Sequence, residues 1–320
     1  VPLVQRAYAL WEELERLSGR RILVRTGGLM LGPRDGVVVA GALASARTHG
    51  LSYEELSAAE VARRVPGIRP PADAVGVWEP RAGFLDPEAA IEAHLALAAS
   101  SGAELRTGEA VLRWGVSGGV AEVTTTHARY RGRRLVLAAG AWMRDLLLPE
   151  LALPLVVERN VMHWFRPERP TDLFSAERFP IFIHEYAPGL AWYGFPDVGD
   201  GVKLALHHHG TPVDDPDALR RDVAADEVAH VRTLLRAFTP AADGPVVQSA
   251  VCMYTNTPDD HFVIDAHPAH PEVIVASPCS GHGFKFSSAV GELLAQMVTT
   301  GRSAFDLTPF RISRFRGSTL

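Results

Sequence analysis

The sequence predicts a mixed fold, α/β combined with α+β, built as two interleaved domains. Two observations lead there. Helical and strand patterns alternate from Val4 to Pro149, as in sheet-and-helix layers. From Leu155 to His208 strand follows strand, as in a second sheet, before a helix, three strands and a last helix. The length of 320 residues suits one large or two ordinary domains.

The elements follow in order. Val4, Ala7, Tyr8, Leu10, Trp11, Leu14 and Leu17 recur at helical spacing, which predicts an opening helix. Residues 22–31 read as two short strands broken at Gly27-Gly28, and residues 37–49 as a helix stopped at Gly50. Ser57 and Glu60 form a capping-box pattern that starts a short helix to Arg64. Pro66, Pro70 and Pro71 mark a loop before a strand at 75–79. Asp86-Pro87-Glu88 starts a helix with proline at its first position, ending near Gly102. Residues 104–107, 111–116, 120–127 and 134–138 read as strands, the last one ended by Gly140-Ala141-Trp142 and followed by a helix to about Pro149. Strands are predicted at 155–165, 181–185, 190–193 and 202–208, a helix at 223–238, and strands at 246–253, 262–265 and 273–277. A helix-like run at 287–300 follows. There is no internal repeat and no low-complexity tract.

Composition narrows the function. Hydrophobic content of 47% and charged content of 22% are those of a soluble globular protein. A net charge of −5 without a basic stripe argues against a nucleic-acid surface. No apolar run approaches membrane-spanning length, so no membrane partner is expected. Two cysteines imply no disulfide framework and suit a cytoplasmic location.

The segment Ser280-Gly281-His282-Gly283-Phe284-Lys285-Phe286 is the most telling. Two glycines let the backbone pass close to something flat or bulky. The following helix presents unpaired N–H groups at its start, where Lys285 adds a full charge. Such a place holds negative charge: a phosphate, a substrate carboxylate or a reduced cofactor. A tight turn with a solvated lysine has the same local spacing.

Together with residues 250–265 around Cys252, this segment resembles the monomeric sarcosine oxidase and N-methyltryptophan oxidase family of FAD-dependent amine oxidases. Further matches are Thr26-Gly27-Gly28-Leu29-Met30, Leu137-Ala138-Ala139-Gly140-Ala141-Trp142, Trp192-Tyr193-Gly194-Phe195-Pro196 and Gly201-Val202-Lys203-Leu204. The similarity runs from Val1 to about Arg314. It implies a Rossmann-like FAD-binding domain at residues 1–24, 85–155 and 259–320, interleaved with a mixed-sheet substrate domain at 25–84 and 156–258. The family opens with a strand, a Gly-x-Gly-x-x-Gly turn and a helix that bind the cofactor pyrophosphate. No such glycine pattern occurs in these 320 residues. The expectation is that the domain is N-terminally incomplete, short of roughly sixty residues, on the order of one βαβ half-unit. That segment also holds a family arginine for the substrate carboxylate, and without it the chain alone is expected to be poorly stable.

The resemblance implies roles residue by residue. Cys252 bonds covalently to the flavin, which needs a thiolate with a cation nearby. Gly140, Trp142, Gly281, His282, Gly283, Phe284 and Lys285 line the cofactor. Lys285 binds the substrate carboxylate, as a point charge without a bidentate fork. Lys203 promotes the reaction of the flavin with oxygen. His207 lies near the substrate, and Tyr193 and Tyr254 line its cavity.

Alternation on a regular strand puts Lys203, Ala205, His207 and His209 on one face. For the same reason His207-His208-His209 cannot all hold one ion, and no metal is expected. Cys279 is expected to be structural, while Arg69, Arg81 and His184 are open as substrate contacts. The activity implied is oxidation of a secondary amine, an N-methyl amino acid such as sarcosine, with oxygen as acceptor and a monomer as the working unit. A dehydrogenase passing electrons elsewhere and an inactive remnant are the alternatives.

Overall fold

The computed structural model describes residues 1–169 and 171–315. The last five residues of the expected flavin domain, 316–320, lie outside the described residues.

A nine-stranded sheet forms the larger layer. In spatial order its strands are Val246–Asn256, Val156–Phe165, the pair Val202–His207 and Thr211–Val213 on one line, Leu190–Phe195, Ile181–Ala187, Gly28–Gly32, Val75–Glu79 and Glu54–Ser57. All neighbours run antiparallel except Ile181–Ala187 and Gly28–Gly32, which are parallel.

Alternation along these strands divides the residues between two faces. On one face Leu29, Leu31, Phe165, Phe182, Trp192, Val202 and Leu204 are buried under helix Ala225–Phe238, through its Val231, Leu234 and Leu235. Each such side chain contributes roughly 1.5–3 kcal/mol by leaving water. On the other face helix Val37–His49 covers only the far end, packing Val39 and Leu43 against Met30 and Val77. The near end, over the strands at 156–165, 190–195, 202–207 and 246–256, is where the sequence-predicted site residues collect.

A smaller layer holds the rest. Strand Val273–Ser277, buried at every position, pairs parallel with Leu135–Leu137 and antiparallel with Val263–Ala266. Strands Val111–Ser117, Val120–Thr125 and Arg129–Gly132 form an antiparallel meander. Helix Pro2–Ser18 buries Ala7, Trp11 and Leu14 and packs against helices Pro87–Ser100 and Ser287–Thr300. Ser288 donates to the Ala7 carbonyl at 3.3 Å.

Most predicted elements form close to their expected bounds. The Ser57–Glu60 capping box forms in both directions, and Asp86 caps its helix by accepting from the Ala89 N–H at 2.9 Å. Three differences matter. Residues 104–107 form no strand, because nothing pairs with them, and Leu105 is exposed. The strand expected at 246–253 continues to Asn256, so Tyr254 sits on the sheet. The strand expected to reach His208 stops at His207, where a bulge begins.

Candidate active site

The site is built on the open face of the large sheet. Cross-strand register fixes what shares that face. Ala205 lies opposite Met162 and Tyr193; Lys203 lies opposite Trp164 and Phe195. Cys252 lies opposite Asn160, and Tyr254 opposite Glu158. Lys203, His207, Tyr193, Cys252 and Tyr254 therefore point the same way, from three strands of which the outer one is joined to the other two through Val156–Phe165.

Lys203 is held by two aromatic faces. Its ammonium stands 5.2 Å from the Trp164 ring centre and 4.9 Å from that of Phe195. Ring quadrupoles attract a cation at this distance. Burial pulls the lysine below its ordinary pKa, and nearby Cys252 opposes the fall. The Cys252 thiol is pushed up by burial, and Lys203 offsets part of that rise. The two groups thus support each other's charged forms.

Tyr193 and Tyr254 are kept as neutral phenols. Burial, with Tyr254 beside it, lifts Tyr193 well above the usual range, and burial pushes Tyr254 up to about 12. His207 stands edge-on to both, its ring centre 6.0 Å from each. Burial, with His208, His282 and Lys285 around it, lowers His207 to about 4, so its imidazole is neutral at pH 7.

The glycine turn closes the other side. Gly281 has φ 69°, and a side chain there would lie 2.5 Å from the Tyr254 ring. The flat object that this glycine passes is that tyrosine. A Cβ on Gly283 would lie 1.7 Å from the Pro278 carbonyl oxygen. His282 contacts the Asp260 carbonyl through Nε2 at 3.0 Å and tilts over Phe262. Lys285 lies in a 3-10 turn, Phe284–Phe286, just ahead of helix Ser287–Thr300, and donates to the His282 carbonyl at 2.8 Å. Crowding by neighbouring groups pulls its ammonium down to about 8, while the residue as a whole is exposed to solvent.

Trp142 and Phe284 face solvent at 44% and 39% exposure, unusual for such large apolar groups. The Trp142 indole N–H donates to Asp217 at 3.0 Å, docking the Gly140–Trp142 turn on the segment beyond the bulge. Gly140 has φ 55° and open space where a side chain would stand.

One expectation from the sequence changes, and one open candidate lies away from the site. His209 does not share the Lys203 face, because His208 adopts φ 52° and breaks the alternation. The His209 ring turns instead toward Tyr186, whose hydroxyl lies 3.3 Å from Nε2, and toward His230. His184 lies on the opposite face, buried, accepting from the Trp192 indole at 3.0 Å and packed on Phe238; burial lowers it to about 4. It has no path to the site. Arg81 sits over the Tyr8 ring, its guanidinium 5.6 Å from the ring centre.

Sequence reasoning passed over Glu158 and Asn160, and weighed His208 only as a metal ligand. Glu158 and Asn160 had a signal: polar residues two apart on the face of a strand that is otherwise apolar. His208 had none, because its left-handed backbone appears only in the structure. Among the described residues no group of three His, Cys, Asp or Glu could hold a metal, and no helix is long and apolar enough to cross a membrane.

A family model described as FAD dependent oxidoreductase matches residues 1–297. The chain belongs to that family. Its curated relatives include the monomeric sarcosine oxidase of Streptomyces avermitilis, 41% identical over 314 residues, which are 97% of this chain and 81% of that protein. The N-methyl-L-tryptophan oxidase of Citrobacter koseri is 36% identical over 317 residues, 98% of this chain and 83% of that protein. Among solved structures, NikD, an unusual amino acid oxidase essential for nikkomycin biosynthesis, matches with a TM-score of 0.83 at 25% identity, covering 97% of this chain and 82% of that one. The fold is accordingly that of the FAD oxidoreductases, mixed α/β with several sheets.

The open face fits the ring system of the family's cofactor. Lys203 and Lys285 supply positive charge, Cys252 a thiol, and Trp142 and Phe284 exposed aromatic surface.

Proposed function

We propose that this chain belongs to an oxidase of secondary amines that acts on N-methyl amino acids such as sarcosine and uses oxygen as acceptor. The observation that carries the reading is Lys203, held between Trp164 and Phe195 on the same face as Cys252. Its relatives are oxidases of sarcosine and of N-methyl-L-tryptophan, which supports the same reading.

Cys252, Gly140, Trp142, Gly281, His282, Gly283, Phe284 and Lys285 would hold the flavin. A flavin bound there would supply two-electron, two-proton redox chemistry: the amine CH–NH unit would become an imine that water hydrolyses, and oxygen would become hydrogen peroxide. The chain's own residues do the rest. Lys285 binds the substrate carboxylate as a single cation. His207, neutral at pH 7, faces the amine without repelling it. Tyr193 and Tyr254 stay protonated and offer hydroxyl donors on an apolar wall. Lys203 is a fixed cation where negative charge grows on oxygen. Cys252, with that cation nearby, is the thiol for a covalent flavin link. The same reading makes the large-sheet layer the substrate domain and the smaller layer the flavin domain, with a monomer in the cytoplasm as the working unit.

The test is acid precipitation of the flavin-loaded protein, together with oxygen uptake on sarcosine. We expect a yellow pellet, colour lost to the supernatant in Cys252→Ser, and peroxide formed in step with the oxygen consumed. Flavin that washes off the parent protein would remove the covalent link. Slow reoxidation in air would turn the reading toward a dehydrogenase.

A further inference from the structure

The strand segments Val202–His207 and Thr211–Val213 lie along the same edge of Val156–Phe165. Ala205 pairs with Met162, and Thr211 pairs with Arg159. Three steps along one strand thus match six along the other, so three residues, 208–210, bulge out of the line. Bulges of this kind bend a strand and re-aim side chains, and they concentrate beside active sites. Here the bulge turns the His208 ring to 4.2 Å from that of His207 and 5.4 Å from that of Tyr254.

Such a bulge frees backbone N–H groups from the ladder, and they need partners. Gly210 finds its partner in a side chain: Glu158 Oε1 accepts its N–H at 2.7 Å. The other oxygen, Oε2, accepts from the Asn256 side-chain amide at 2.9 Å. The bulge fits closely, since a Cβ on Gly210 would lie 2.1 Å from the Arg159 carbonyl oxygen. Glu158 sits opposite Tyr254 in register, and Asn256 ends the same strand two residues beyond Tyr254. One carboxylate therefore ties the histidine bulge to the strand that carries Cys252 and Tyr254.

We propose that Glu158 is the positioning residue that holds the 208–210 bulge in place and so sets the His207–Tyr254 edge of the amine site. The inference rests on the oxidase reading for its kinetic consequence but not for its structural one. Glu158 acts by reach: its two oxygens span the Gly210 N–H and the Asn256 amide. A glutamine spans the same distance, and Asn256 can turn its amide to match, because its Oδ1 is buried with no other partner. An aspartate keeps the charge but falls one methylene short.

The experiment compares Glu158→Gln with Glu158→Asp in the flavin-loaded protein. Amide hydrogen exchange at Gly210 should speed up about tenfold or more in Glu158→Asp and stay within about threefold of the parent in Glu158→Gln. With sarcosine, KM should rise about tenfold in Glu158→Asp while kcat changes by less than about threefold, and Glu158→Gln should restore both. Parent-like exchange in both variants overturns the clamp. So does a damaged Glu158→Gln, whether or not Glu158→Asp is also damaged, since charge would then be what matters. If the parent protein oxidises no amine, the function reading fails while the exchange result still decides the clamp.

Discussion

Lys285 and Lys203 differ in surroundings, and that sets different tasks for two like charges. Lys285 is exposed along its length, yet crowding around its ammonium lowers it to about 8. On the proposed reading, the cationic form that would bind a carboxylate is present below that value and lost as pH rises through it. KM for a carboxylate substrate should rise above about pH 8, approaching tenfold per unit. A Lys285→Met variant should lose this dependence, with KM already raised roughly 10- to 100-fold at pH 7. A profile that is flat in the parent enzyme would separate Lys285 from substrate binding. Lys203 is fixed by Trp164 and Phe195 rather than by a carboxylate, so its charge remains available. Lys203→Met should slow the reaction of the reduced enzyme with oxygen by about 100- to 1000-fold, read by stopped-flow reoxidation. Reduction by substrate should change far less.

At the scale of elements, the glycine turn and the bulge both pack against Tyr254. Gly281→Ala must hold φ near 69° and put a methyl into the Tyr254 ring. It should cost about 1–3 kcal/mol in urea unfolding and also weaken substrate binding. Retained stability would mean the turn can shift. The turn was readable in advance, since Gly281, Gly283 and Lys285 stand before a helix whose bounds match the pattern. Lys203, Ala205 and His207 were readable as one face because the strand is regular there. His209 was not, since a bulge of three residues depends on register with a distant strand. The same limit hid Glu158, whose partners Gly210 and Asn256 lie 52 and 98 residues away along the chain. Strand 104–107 was expected from local propensity alone, which predicts no partner.

At the scale of the molecule, distant segments are tied at the edges of the site. Arg314 grips Asp259 through Nε at 2.7 Å and Nη2 at 3.1 Å, just past the cysteine strand. That contact, with Thr257 donating as well, holds the Asp259 carboxyl well below the usual carboxylate range. Its folded pKa lies below the unfolded one, so its stabilisation is present at neutral pH and lost as pH falls below about 4. Asp259→Asn should cost about 1 kcal/mol at pH 7, the modest figure reflecting solvent screening, and the difference from the parent should shrink in acid. An equal gap at pH 3 and pH 7 in chemical denaturation would contradict this.

The helix Pro2–Ser18 reaches the site from behind. The Trp11 indole donates to the Lys285 carbonyl at 3.0 Å and its ring stacks on Phe284, 6.1 Å away and 20° from parallel. Whatever settles on the glycine turn must therefore be felt by an indole that it never touches. Trp11 is a fluorophore wired to the back of the binding surface, and its emission offers an optical readout of occupancy that needs neither turnover nor a label.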